Sequence, residues 1–254
     1  EEKRRKSYPS DLTDEQWEEI APLYTGMRKN TWSKRELTDA VLYLVDSGCK
    51  WRQLPHDFPP YSTVHSFYRR ARINGLWDKI LEHLVKRTRT NAGRKESPSY
   101  AIIDSQSVKT VAASEERGID GGKKRKAEAA IVVDVLGCLL SVVVHAANIH
   151  DTKGGISTAK RAYERCPSIQ KFCADAGYRG TFVSDMKEQL GLDVDISEKI
   201  KPHQWEKLPW RWVVERTLSW LNHSRRLSKD FEISISSAEA MVKISHLHTL
   251  LKRL

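Results

Sequence analysis

Cysteine is scarce in this sequence: its 254 residues include only Cys49, Cys138, Cys166 and Cys173. None of them belongs to a Cys-x-x-Cys pair, which excludes the common zinc ribbons and argues against a disulfide framework. Long apolar runs are also missing, because the longest, residues 138–147, is interrupted by Ser141 and His145 and is too short to span a bilayer. With 13 glycines and 9 prolines, the composition excludes collagen-like and disordered chains. We expect a globular, cytoplasmic protein without a membrane segment.

Positive charge is in excess. The chain has 43 Lys and Arg residues against 33 Asp and Glu residues, which gives a formal net charge of +10 and an isoelectric point near 9.4. This balance favours a polyanionic partner, above all nucleic acid. Charge alone does not identify that partner, since many basic proteins bind no nucleic acid.

The pattern of the sequence changes near residues 91–99, a stretch of small, polar and charged residues that is typical of a linker. Residues 1–90 carry helical patterns, whereas residues 100–254 carry short β-branched runs that alternate with helical ones. The sequence therefore predicts a small helical domain, a linker, and a larger domain of mixed α/β class.

Two capping boxes predict helix starts in the first domain, at Thr13-x-x-Gln16 and Ser33-x-x-Glu36. Gly48 is suited to end the second of these helices. Helical spacing predicts two more helices, one over 62–72 with Ser62 as its cap and one over 77–89.

Strands and helices alternate in the second domain. Strands are predicted over 100–103, 131–135 and 138–146, in a run ending at 174, and over 192–196. Helices are predicted over 155–165, 182–190 and 209–227. Asp134 is expected to be a turn residue in a hairpin over 134–137. The order βββαβαβα predicts a mixed sheet flanked by helices.

Two aspartates follow apolar strand-like runs. Asp104 ends the run Tyr-Ala-Ile-Ile, and Asp175 ends Phe-Cys-Ala. A carboxylate at the end of a buried strand is held on a stiff element while it faces a crevice. The alternative is that each aspartate simply begins a turn, a role that Asp often takes.

Glu215 lies centrally on the polar stripe of the predicted helix over 209–227, opposite a face of apolar residues. A solvent-exposed helix would look similar, but residues 199–229 hold eight basic residues and two acidic ones. That excess suits a phosphate backbone. Carboxylate oxygens are the ligands that Mg²⁺ prefers, and two such ions can catalyse phosphoryl transfer. Asp104, Asp175 and Glu215 are therefore candidate ligands of a two-metal site.

Five ordered segments carry a resemblance to a known family. Residues 101–109 (AIIDSQSVK), 174–180 (ADAGYRG) and 211–221 (RWVVERTLSWL) resemble the DDE transposases of bacterial insertion sequences, in the insertion sequence five group. Residues 8–14 and 48–60 agree with the same family. The resemblance covers nearly the whole chain.

This resemblance implies an RNase H-like catalytic domain with the acidic triad Asp104, Asp175 and Glu215. It also implies two Mg²⁺ or Mn²⁺ ions, hydrolysis at the ends of the element, and joining of the freed 3′-OH to target DNA. The implied partners are double-stranded DNA, as inverted repeats and as target, and a second copy of the chain in a synaptic homodimer.

Clustered basic residues are the candidates for DNA contacts. If the first domain is a DNA-binding domain of the helix-turn-helix type, the helix over 62–72, which contains His65, would lie in the DNA groove. The alternative is that these residues belong to the surface of a helical dimerisation domain. The DNA-binding candidates are Arg69, Arg70, Arg72, Lys123, Lys124, Arg125, Lys126, Arg179, Arg211, Arg216, Arg225 and Arg226.

The sequence departs from the family at residues 127–130, where Ala-Glu-Ala-Ala replaces a basic run. We expect Glu128 to face DNA, repel it and weaken binding. The family's tyrosine and lysine signature positions hold Leu208 and Asn222. Besides an active transposase, these departures leave open a domesticated or attenuated transposase that binds DNA without cutting it. A third hypothesis is a simple nuclease that cuts DNA without strand transfer.

Three residues between Asp104 and Asp175 in the sequence are also of types that bind metal ions. They are His145, His150 and Asp151. A strand or helix-cap role is the favoured interpretation, with Asp151 as a natural N-cap, and a position near the triad is the alternative.

Overall fold

The computed structural model describes residues 5–26, 31–111, 118–119, 125–146, 151–197 and 210–254. Its first part is helical, as the sequence predicts. The helices are α1 (Asp14–Ile20), α2 (Lys34–Ser47), α3 (Tyr61–Ile73) and α4 (Leu76–Asn91). Among the described residues, no helix is both long and apolar enough to cross a membrane.

Both predicted capping boxes are confirmed. The Thr13 side chain accepts from the backbone N–H of Gln16, and Ser33 does the same for Glu36 at the start of α2. Gly48 ends α2 in the left-handed conformation, with φ of 70°. The expectation that Ser62 caps α3 is wrong, because that helix already begins at Tyr61 and has no side-chain cap.

The second part contains six strands and four helices among the described residues. The strands are β1 (Tyr100–Lys109), β2 (Gly118–Ile119), β3 (Arg125–Asp134), β4 (Leu139–Ala146), β5 (Lys171–Asp175) and β6 (Asp193–Ser197). The helices are α5 (Asp151–Arg165), α6 (Thr181–Leu190), α7 (Arg211–Asn222) and α8 (Ile235–Leu251).

The strands form one mixed sheet in the order β4-β3-β1-β5-β6, with the short β2 on the edge of β3. Strand β3 is antiparallel to both β1 and β4, whereas β1, β5 and β6 are parallel. This order and these directions are those of an RNase H-like sheet. The predicted fold class is therefore confirmed.

Strands β1 and β3 are longer than their apolar runs. Their antiparallel register continues from Ala101 opposite Asp134 to Lys109 opposite Lys126, because backbone hydrogen bonds extend the ladder through polar residues. Asp104 consequently lies inside β1, and the prediction that it ends its strand is wrong. Asp175 does end β5.

Helix α8 was not predicted from the sequence. Its apolar residues are spread around the helix instead of lying along one face, and it is buried along most of its length. It packs against α2, α4 and β4, so the helical part and the sheet share one apolar core. Helix α7 is shorter than predicted: it ends at Asn222, and a 3₁₀ turn at Arg225–Leu227 follows.

Candidate active site and nucleic-acid interface

The sheet register brings Asp104 and Asp175 side by side. In the parallel pair of β1 and β5, Ile102 lies opposite Cys173. Each aspartate follows its member of that pair by two residues, so both side chains occupy the same face of the sheet and the same row. Neighbouring strands lie about 4.8 Å apart, which is close enough for two carboxylates to bind a common ligand.

Both aspartates are held by their local backbone. Asp104 Oδ1 accepts from the N–H of Ser105 at 2.8 Å. Asp175 Oδ1 accepts from the N–H of Gly177 at 2.9 Å, at the start of the 3₁₀ turn Ala176–Tyr178. The turn-starting role of Asp175 is therefore real, and it fixes the carboxylate at the end of the strand.

Helix α7 crosses the same face of β1. At its start the Trp210 ring lies 6.0 Å from the ring of Tyr100, and at its end Asn222 accepts from Gln106 at 3.0 Å. The helix over this span is about 18 Å long, and the matching part of β1 is about 20 Å long. Glu215 falls between the two contacts on α7, as Asp104 does on β1.

The apolar side of α7 largely follows the sequence prediction. Val213, Val214, Thr217 and Leu221 are buried, whereas Glu215 is exposed. Trp210 is 37% exposed and precedes the helix with a left-handed φ of 76°.

The donor chemistry of the three carboxylates suits a hard divalent cation, because all their ligand atoms are oxygen. In the described part of the chain, however, no group of three His, Cys, Asp or Glu side chains is assembled to hold a metal ion. The register of β1 and β5 places Asp104 and Asp175 on neighbouring strands, while Glu215 lies on the helix that crosses β1.

His145 is not part of this face. It lies on β4 opposite Glu128, which in turn lies opposite Ser107 of β1. Ser107 is three residues from Asp104, so its side chain points to the other face. There, His145 packs closely on Gly154 of α5. Helix α5 begins at Asp151, whose side chain, like His150, lies outside what the structure describes.

Glu128 is buried, with 6% of its surface exposed. The expectation that it faces DNA and repels it is therefore wrong. Alternation along β3 turns its side chain toward α5, away from solvent and from the face that carries Asp104.

The basic candidates fall into three groups. Arg69, Arg70, Arg179 and Arg225 are exposed. Arg72, Arg216 and Arg226 have internal contacts. The remainder have undescribed side chains or lie outside the described residues: Lys123, Lys124, Arg125, Lys126 and Arg211.

Two of the internal contacts contradict an exposed phosphate-binding role. Arg226 is 7% exposed; it pairs with Glu232 at 2.6 Å and donates to the carbonyl of Cys49. Arg72 donates to the hydroxyl of Ser237 at 2.8 Å and so ties α3 to the start of α8. Both residues stabilise the fold because their guanidinium groups are already bonded within it.

Gln106 was missed by the sequence reasoning. It lies two residues beyond Asp104, on the same face of β1, and it bonds the end of α7. Alternation along the strand was the signal that would have found it. That signal was hidden because the strand was predicted to stop before Asp104.

Two family models match the chain. One, “Putative transposase of IS4/5 family”, matches residues 12–81, and the other, “Transposase DDE domain”, matches residues 95–250. A similar bacterial protein is the insertion element IS402 uncharacterized 16.2 kDa protein of Burkholderia cepacia. It is 30% identical over 118 residues, which cover 42% of this chain and 78% of that protein. The uncharacterized protein y4sN of Sinorhizobium fredii is 30% identical over 102 residues, covering 39% and 75%.

Similar solved structures are also transposases. The catalytic domain of Mos1 mariner transposase is 12% identical with a TM-score of 0.35, covering 68% of this chain and 87% of that one. A synaptic complex of piggyBac transposase with hairpin DNA is 11% identical with a TM-score of 0.37, covering 77% and 50%. The family assignment rests on the DDE domain match, which spans more than half of the chain. The protein belongs to the DDE transposase family and is an enzyme of DNA transposition.

Proposed function

We propose that Asp104, Asp175 and Glu215 bind two divalent ions, Mg²⁺ or Mn²⁺, and that the protein thereby cuts DNA at the ends of an insertion sequence and joins them to target DNA. The observation that supports this proposal is the register of β1 and β5, in which Ile102 lies opposite Cys173, because Asp104 and Asp175 each follow two residues later on the same face. The oxygen-only donor set supports a hard cation.

The reaction consists of two displacements at phosphorus. Water attacks a phosphodiester at the element end, the bond from phosphorus to the 3′ oxygen breaks, and a 3′-OH is released. That 3′-OH then attacks a phosphodiester of the target, whose own 3′ oxygen leaves. Bound divalent ions would supply activation of the attacking oxygen and stabilisation of the leaving one.

The chain's own residues orient these groups. Asp104 and Asp175 are fixed on neighbouring strands and by hydrogen bonds to their local backbone. Glu215 is carried by α7, whose two ends contact β1 through Trp210 and Asn222. Two of the carboxylates are carried by a rigid sheet and the third by an anchored helix. This arrangement would keep all three positioned for in-line displacement.

The exposed face of α3 is the proposed DNA reader. His65, Arg69 and Arg70 are exposed, while Val64 and Phe67 are buried on the opposite side. The connection from α2 to α3, residues 48–60, is longer than the tight turn of a helix-turn-helix, so the reader would be a variant of that motif. Exposed Arg179 and Arg225 would contact phosphates, and two copies of the chain would hold two element ends.

Cleavage of a labelled inverted repeat tests the catalytic proposal. Wild-type protein with Mg²⁺ is expected to cut and join the repeat, and Asp104→Asn is expected to bind it without cutting. Asp193→Asn is a matched control, because Asp193 is exposed and pairs only with Lys187 among the described contacts. DNA binding without metal-dependent cutting by the wild type would favour the attenuated, non-catalytic alternative, and nicking without joining would favour a simple nuclease.

A further inference from the structure

Aromatic and cationic side chains alternate along one stripe of α7. Trp212, Arg216 and Trp220 are spaced four residues apart, so they follow one another on the helix surface. The Arg216 guanidinium carbon lies 4.5 Å from the centroid of Trp212 and 4.6 Å from that of Trp220. Trp212 is 51% exposed. The stripe therefore presents stacked, partly open side chains next to Glu215.

A second arginine joins this stripe from a distant part of the chain. Arg253, just beyond α8, is exposed and lies 4.4 Å from the centroid of Trp220. Two guanidinium groups thus share contact with one indole ring. The pKa of Arg216 is lowered mainly by burial and further by the nearby positive charge of Arg253.

Within the described ranges, neither Arg216 nor Arg253 forms an ion pair with an acidic residue. Asp134 is near enough to favour the charged form of Arg216, but its carboxylate is hydrogen-bonded to Arg89. The bond that Arg216 does make is to a neutral group, the carbonyl of Leu136, at 3.0 Å. Two cations that contact the same indole ring, without an ion-pair partner among the residues that the structure describes, favour binding of an anion.

The site is built rigidly against the hairpin between β3 and β4. Thr217 donates to the carbonyl of Gly137 at 3.0 Å. A Cβ at Gly137 would lie 2.7 Å from Thr217 Oγ1 and 3.1 Å from the Trp220 ring. Only glycine permits this approach, since its φ is also +83°. The hairpin between β3 and β4 consequently packs against Arg216 and Trp220 and holds them in place.

We infer that Arg216, Trp220 and Arg253 form a binding site for a phosphate of the DNA backbone. This inference rests on the proposed DNA-cutting function and adds to it a contact contributed by the segment after α8. Arg253 supplies the exposed charge, Trp220 orients both guanidinium groups by stacking, and Arg216 fixes the position next to Glu215. The exposed indole of Trp212 would lie against the neighbouring sugar.

The test compares two single-charge variants of the full chain. Arg253→Gln removes the proposed phosphate contact, whereas Lys252→Gln removes the adjacent exposed cation and changes net charge equally. Binding to a labelled inverted-repeat duplex is measured over a series of NaCl concentrations. Because each lost phosphate contact reduces the slope of log affinity against log salt by about 1, Arg253→Gln is expected to show that reduction and Lys252→Gln is expected to keep the wild-type slope.

Two further measurements separate the possible failures. Thermal unfolding of both variants shows whether each is folded as the wild type is, and Arg253→Lys is expected to keep the salt slope because it keeps the charge. Equal slopes for Arg253→Gln and Lys252→Gln, in a preparation whose wild type binds and cuts the repeat, would overturn the phosphate site alone. A wild type that neither binds nor cuts would overturn the proposed function as well.

Discussion

Arg89 and Asp134 form a buried ion pair that joins α4 to the end of β3. Arg89 is 5% exposed and Asp134 is fully buried. The other oxygen of Asp134 accepts from the N–H groups of Leu136 and Cys138, so the predicted turn role is also real. Arg89 further donates to the carbonyl of Lys95, in the segment between α4 and β1. The helical part and the sheet are thus linked by charge as well as by apolar packing.

Loss of one partner of this pair should destabilise the protein strongly. Asp134→Ala leaves the Arg89 charge buried without a counter-charge, and we expect the free energy of unfolding to fall by about 3–5 kcal/mol. Urea denaturation followed by circular dichroism measures the change. The double variant Arg89→Met with Asp134→Ala should recover part of the loss, and a single variant as stable as wild type would contradict the structural role.

Substitution of Glu215 separates catalysis from binding. Glu215→Gln keeps the size of an exposed side chain and removes its charge, so we expect cutting of the inverted repeat to be lost while protein stability is unchanged. Glu188→Gln, on the exposed side of α6, is the matched control and should cut normally. Normal cutting by Glu215→Gln would remove this residue from the proposed triad.

Arginines on α3 and after α7 should respond differently to the same substitution. Arg70→Gln removes an exposed charge, so DNA affinity should fall while the unfolding midpoint stays the same. Arg226→Gln breaks a buried pair with Glu232, and we expect a loss of about 3 kcal/mol or more in unfolding free energy. Binding assays and chemical denaturation of both variants provide the comparison. An unstable Arg70→Gln would contradict the exposed position of Arg70.

The stability of the N-terminal helices should depend on the ionisation of Asp39. Burial is the main cause that raises the pKa of Asp39 from 3.8 to about 6. A carboxyl group with a raised folded pKa is stabilising in its protonated form, so its contribution is complete below pH 3.8 and is lost as the pH rises through about 6.

The variant Asp39→Asn isolates this effect. An asparagine can still accept the hydrogen bond that Leu12 donates at 2.9 Å, but it carries no charge to bury. We expect a higher unfolding midpoint than wild type above pH 6 and a flatter pH dependence below it. A midpoint lowered at high pH would show that the contact of Arg5 with Asp39, at 3.7 Å, outweighs burial.

Short-range patterns in the sequence predicted the parts of the fold that depend on neighbouring residues. The Thr13 and Ser33 capping boxes were correct because a cap involves groups three residues apart. The apolar runs before Asp104 and Asp175 identified two strands, because a run of neighbouring apolar residues is also a local signal. The placement of Glu215 on the exposed side of α7 followed from helical periodicity alone.

Tertiary structure decided which charged residues are buried and which strands continue. The extension of β1 past Asp104 depends on pairing with β3, and the burial of Glu128 and Arg226 depends on partners from other elements. Helix α8 was missed because its apolar residues are spread around the helix and leave no amphipathic period to detect. The sequence alone determined the family and the excess of positive charge, and it predicted the three carboxylates. Only the folded chain placed Arg253 beside Trp220, because that contact joins segments that the sequence keeps apart.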